Sequence, residues 1–209
     1  MTLLPVNWKK NQKDNYLKFL LTYRHITIFI MEKLKKFNAD QIITVNSAVE
    51  MAEEMVSNFY KMSASQWLRP KYDVKTLIDL SPEEILDEPF AQIIRYQGQK
   101  KDTSLGSSAY DFYKICLQDH CILMTLDRTH GLKLFPFTLY IITHELIHIV
   151  RFSKFLQSFD ASPDEKITEE TRVHEDTHQI LKNVQVSGIS TVLGFYNQWR
   201  QPFDKFRNP

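Results

Sequence analysis

Two stretches of the chain carry the pattern His-Glu-x-x-His: His144-Glu145-Leu146-Ile147-His148 and His174-Glu175-Asp176-Thr177-His178. Four of the seven histidines are used this way. On a helix, residues four apart lie on one face about one turn apart, so His144 and His148 can offer two nitrogens to one ion. Two imidazoles fill two corners of a tetrahedral zinc site. Glu145 stands beside the first of them, where a carboxylate can act as general base on metal-bound water. The surrounding "PFTLYIITHELIHIVRF" is apolar on most faces, which predicts a buried helix. Histidines in such a helix need polar partners, and a metal ion is one.

With "THELIHIV" the chain resembles the zincin superfamily of metallopeptidases. The resemblance covers about ten residues and implies zinc, hydrolysis of a peptide bond in a peptide or protein substrate, and catalysis by Glu145. In the gluzincin branch the third ligand is a Glu on a second, downstream helix. Glu170 lies 22 positions after His148 and fits that role. The branch often places an acid four residues further on; this chain has His174 there. The metzincin pattern fits less well, because "IVRFSKF" lacks its glycine turn and its early third histidine.

The spacing of the motifs is a second guide to the missing ligand. Helices over 136–158 and 163–186, joined at "DASP", predict an antiparallel hairpin whose loop centres near residue 161. His148 and His174 are then level, as are His144 and His178, because each pair lies equally far from the loop. This register favours His174 as third ligand, whereas the resemblance favours Glu170. The stripe Glu170, His174, His178 runs at i, i+4, i+8 and is bordered by Val173, Thr177, Ile180, Leu181 and Val184, so it should face inward. The second motif therefore lends a ligand to the first rather than forming its own site.

Two other chemistries use the same residues. Glu145-x-x-His148 and Glu175-x-x-His178 are the paired motifs of di-iron carboxylate bundles, with iron in place of zinc and Glu50, Glu53 or Glu54 as an added ligand. Alternatively the metal stabilises a non-enzymatic helical regulatory module, a closed site in which both Glu170 and His174 bind. Arg151 and Arg172 lie close to the motifs and read as ion-pair or surface residues.

The elements that position these residues are mostly helical. Capping boxes at Ser47–Glu50, Ser81–Glu84 and Ser162–Glu165 predict helix starts. Helices are expected at 15–37, 47–63, 82–96, 108–118, 136–158, 163–186 and 189–200. "QIITV" (41–45) and "CILMTL" (121–126) are the candidate short strands, and "QGQKKDTSLGSS" (97–108) reads as a mobile polar segment. The fold class is mostly α: one domain over 1–209, with a polar arm at 1–14, the metal-site helix hairpin at 136–186, and at most a small β element. The aromatic run "GFYNQWRQPFDKFRNP" is expected to pack on the body or mediate association rather than form a cleft.

The 43% hydrophobic content suits one sizeable core. A net charge of +1 gives no electrostatic case for nucleic acid. Charged residues break the apolar stretch 16–34, against a membrane span. The N-terminus does not read as a signal peptide, and Cys116 and Cys121 do not make a disulfide framework, which together suggest a cytoplasmic protein.

Overall fold

A computed structural model describes residues 34–63, 71–99, 109–160 and 162–197. Among the described residues five helices and one three-stranded sheet make a mostly α fold: α1 (Ala39–Phe59), β1 (Lys71–Lys75), β2 (Ala91–Gln99), β3 (Ala109–Leu117), α2 (Asp119–Arg128), α3 (Leu134–Ser153), α4 (Pro163–Leu181) and α5 (Ile189–Phe195). The expected arm at 1–14 lies outside the described residues. So does the helix expected at 15–37 as far as residue 33, and residues 34–37 are not helical.

Helix α3 is the centre of the molecule. Of its 20 residues, 15 are buried, including Phe137, Leu139, Ile142, Leu146, Ile147 and Ile149. A helix apolar on all sides must be packed on all sides. One partner is α1, which presents the buried stripe Val45, Ala48, Ala52 and Val56 at helical spacing. The two alanines are fully buried and allow a close approach. The start of α1 is set by Asn38, whose side-chain oxygen accepts from the Gln41 N–H at 2.9 Å while the Gln41 side chain accepts from the Asn38 N–H at 2.9 Å. Ser47 therefore stands inside this helix rather than at its start. The stretch "QIITV" is helical too, not a strand.

The sheet order is β1-β3-β2, with β1 parallel and β2 antiparallel to β3. Tyr113, Ile115 and Leu117 of β3 point into the main core, whereas Cys116 points to the other face against Leu77 and Leu80. This alternation is the strand period of two, and it overturns the helix expected at 108–118. The helix expected at 82–96 is also absent. Its capping box is formed, with the Ser81 N–H donating to Glu84 at 2.8 Å, but it opens only a 3-10 turn, Pro82–Glu84. The chain then enters β2. Residues 97–99 of the expected mobile segment belong to β2, and 100–108 lie outside the described residues. "CILMTL" lies in α2 rather than in a strand.

Helix α4 begins as the sequence predicts. Ser162 accepts from the Glu165 N–H at 3.4 Å, and Glu165 accepts from the Ser162 N–H at 2.9 Å, with Pro163 in the first turn. Helix α3 ends earlier than expected, at Ser153, and α4 ends at Leu181. Both cysteines are free and buried, and burial pushes the Cys116 thiol up to about 11. Among the described residues no helix is long and apolar enough to cross a membrane.

Candidate metal centre

Contacts between α3 and α4 step forward along one helix as they step back along the other. Arg151 meets Glu169, His148 and His144 meet Glu170, and Tyr140 meets His174. The loop is thus centred midway between Ser153 and Pro163, near residue 158, not 161. His174 consequently does not stand level with His148. Its ring lies 4.4 Å from that of His144, centroid to centroid.

Three donors converge. Nε2 of His144 lies 3.2 Å from Oε2 of Glu170, and Nε2 of His148 lies 3.2 Å from Oε1 of Glu170. The two Nε2 atoms are 3.1 Å apart. In a tetrahedral site with metal–nitrogen bonds of 2.0–2.1 Å, donor atoms stand about 3.3 Å apart. The two nitrogens, and each nitrogen with the Glu170 oxygen it faces, are close to that spacing, the two histidines facing different oxygens of the one carboxylate. Hydrogen bonds alone satisfy this arrangement poorly: if both imidazoles donate to Glu170, their N–H groups confront each other at 3.1 Å. A shared cation would remove that conflict. Nδ1 of His144 is buried without a partner among the described residues, so Nε2 carries the ring's polar interactions.

His174 offers a further donor. One ligand atom each from His144, Glu170 and His174 fall within 4.8 Å of one another. The Tyr140 hydroxyl is hydrogen-bonded to Nδ1 of His174 at 2.9 Å, and Tyr140 is itself stacked on Tyr196, with ring centroids 3.9 Å apart. His148, Glu175 and His178 are not members of this group. Asp176, between them, accepts from the Tyr60 hydroxyl at 3.0 Å, and Glu53 of α1 accepts from the Tyr72 hydroxyl.

The electrostatics are those of tightly coupled groups. Burial works against ionising Glu170, but the imidazoles of His144 and His148 outweigh it and hold the carboxyl well below the usual range. For His148 burial opposes the charged form, and Glu170 more than offsets it, so its pKa rises. His174 is driven down to about 3, first by burial and then by the charge of His144. Burial raises the pKa of Glu145, while His144 and His148 pull it back.

These groups open onto a cavity of about 760 Å³. Helix α3 contributes Tyr140, His144, Glu145, His148 and Phe152 to its walls; α4 contributes Lys166, Ile167, Glu170 and His174. Phe90, Gln92 and Ile93, from β2 and the residue before it, and Tyr196 also line it. Tyr140, Tyr196, Phe90 and Ile93 were not among the residues expected here. Tyr140 was detectable in principle, since it precedes His144 by four and shares its face. Phe195 and Tyr196 of the C-terminal aromatic run pack on the body as expected, against Phe137 and Tyr140, and Tyr196 also lines the cavity. Of that run, residues up to 197 are described.

No protein-family model, curated protein or solved structure matches the chain.

Proposed function

We propose that the chain binds one divalent metal ion, zinc by donor type, through His144, His148 and Glu170 on an antiparallel helix hairpin made by α3 and α4, and hydrolyses peptide bonds there. The observation that carries the reading is the pair of imidazole nitrogens 3.1 Å apart, each 3.2 Å from one oxygen of the Glu170 carboxylate, on the wall of a cavity that Glu145 also lines. Two histidines and a glutamate are a donor set of catalytic zinc, which keeps a fourth position open. Zinc in such a site supplies Lewis acidity and brings the pKa of water near 7. Glu145 accepts the proton from the attacking water and returns it to the leaving amine. Among the described residues β2 is an edge strand with one sheet neighbour, β3, and its residues 91–93 line the cavity. The free edge of a strand can pair with an extended peptide, which favours a peptide or protein substrate.

A second reading has its own observation. If His174, which lies in one group of potential ligands with His144 and Glu170, joins His144, His148 and Glu170 as a fourth ligand, the site is closed and stabilises a helical regulatory module without turnover.

The experiment is cleavage of a diverse peptide mixture by zinc-loaded, untagged protein, followed by mass spectrometry, beside Glu145→Gln. The expected result is cleavage by the wild type and a loss of about 10²–10⁴-fold in rate with zinc retained in the variant. Bound zinc without cleavage returns the protein to the structural reading. Loss of metal in Glu145→Gln makes Glu145 a ligand and favours the di-iron arrangement.

A further inference from the structure

Beside the donors of His144, His148 and Glu170 lies a buried ion pair that none of the proposed chemistry uses. Arg151 follows His148 by one turn of α3, and Glu169 immediately precedes Glu170 on α4. Both are buried, at 7% and 3% exposure. The guanidinium grips the carboxylate as a fork: Nε donates to Oε1, and Nη2 donates to Oε2 at 3.0 Å. The Gln157 amide, turned with its nitrogen toward Glu169, donates to both oxygens at 2.7 and 2.9 Å. Tyr60, just past the end of α1, donates to Asp176 of α4 at 3.0 Å and interacts electrostatically with Arg151. The network thus ties α1, α3 and the α3–α4 connection to two turns of α4.

We infer that the Arg151–Glu169 fork is a positioning device that fixes the rotation of α4 and so makes Glu170 the third ligand. This rests on the metal reading proposed above. The geometry calls for such a device, because the Glu170 side chain is half-exposed and is not fixed by burial alone. A carboxylate stands about 6 Å from its helix axis, so a rotation of about 10° moves it about 1 Å. Metal–ligand distances tolerate about 0.2 Å. A small turn of α4 would withdraw Glu170 and advance His174, which lies four residues on. Apolar residues could hold the two helices together equally well, since buried ion pairs add little net stability. A planar, two-point grip adds angular precision instead.

The test measures Co²⁺ uptake and the Co²⁺ absorption spectrum of the full chain, with the melting temperature of the metal-free protein as a separate readout. Arg151→Met/Glu169→Met removes the fork while leaving no buried charge unpaired. The expected result is a metal-free melting temperature within a few degrees of wild type, a Co²⁺ Kd raised about 10–100-fold, and an altered spectrum. If the double variant does not fold, Arg151→Lys, which keeps the charge and loses the fork, takes its place. A folded variant with wild-type affinity and spectrum overturns the positioning role and leaves the metal site standing. Failure of both variants to fold makes the pair a stability element and also overturns it. No Co²⁺ uptake by the wild type overturns the metal reading and this inference together.

Discussion

Replacing Glu170 and His174 by alanine, one at a time, separates the two sets of ligands open to this site. Glu170 touches the two motif histidines at 3.2 Å, one with each carboxylate oxygen, within about 0.1 Å of the donor spacing of a tetrahedral zinc site. His174 stands further back, with Nδ1 engaged by the Tyr140 hydroxyl at 2.9 Å. A residue that only orients a ligand costs about 10–100-fold in metal affinity when removed, or about 1.4–2.8 kcal/mol. His174→Ala should fall inside that range. Glu170→Ala, which removes one of three donors, should exceed it. The assay is competitive titration of zinc against a chromophoric chelator at fixed pH, so that proton release is common to all variants. The reverse order of losses would make His174 the ligand and refute the reasoning from donor spacing. Equal, small losses in both would show that α4 does not contribute to the site.

Two further outcomes test the fold around the site. Leu146→Ala, at a fully buried position between the motif histidines, should cost about 2–5 kcal/mol in urea unfolding of metal-free protein. A cost below 1 kcal/mol would mean that α3 is not the core helix. Burial opposes the charge of Glu84, but Lys114, 2.7 Å from both carboxylate oxygens, and the Ser81 N–H outweigh it and lower its pKa. The stability this contributes is present above the unfolded Glu pKa of about 4.3 and is lost as pH falls through the lower folded value. Glu84→Gln should therefore unfold more readily in urea at pH 7 but flatten the loss of stability on acidification; an unchanged acid dependence would contradict the assignment.

How much of this was legible in the sequence depends on where the signals are local. The buried helix carrying His144 and His148 was legible because fifteen of its residues turn inward and no other element accommodates such a run. The start of α4 was legible from Ser162, Pro163 and Glu165, which act within one turn. The end of α3 was not. Helices often stop on a glycine in the left-handed region, and here Phe155 takes that role at φ 55°, with the Leu156 N–H donating to the Arg151 carbonyl at 2.9 Å. With no glycine to mark the stop, the helix reads on to 158. That error moves the loop centre from 158 to 161 and brings His174 level with His148 in place of Glu170. β3 was misread for a different reason. "YDFYKICL" offers three aromatic residues and Ile115 without a clean alternation, so only pairing with β1 and β2 tells a strand from a short helix here. Tyr196 depends on long-range packing against Tyr140 and has no local signature.

The most direct measurement of the central claim is elemental analysis of the full chain, purified without an affinity tag, beside His144→Ala and His148→Ala. The account predicts close to one equivalent of zinc, or of a similar divalent ion, per wild-type chain, and none in either variant. Two ions about 3.5–4 Å apart would point to a paired-metal site instead. A metal-free wild type that takes up no zinc on titration, or full retention of metal in both variants, would contradict the site.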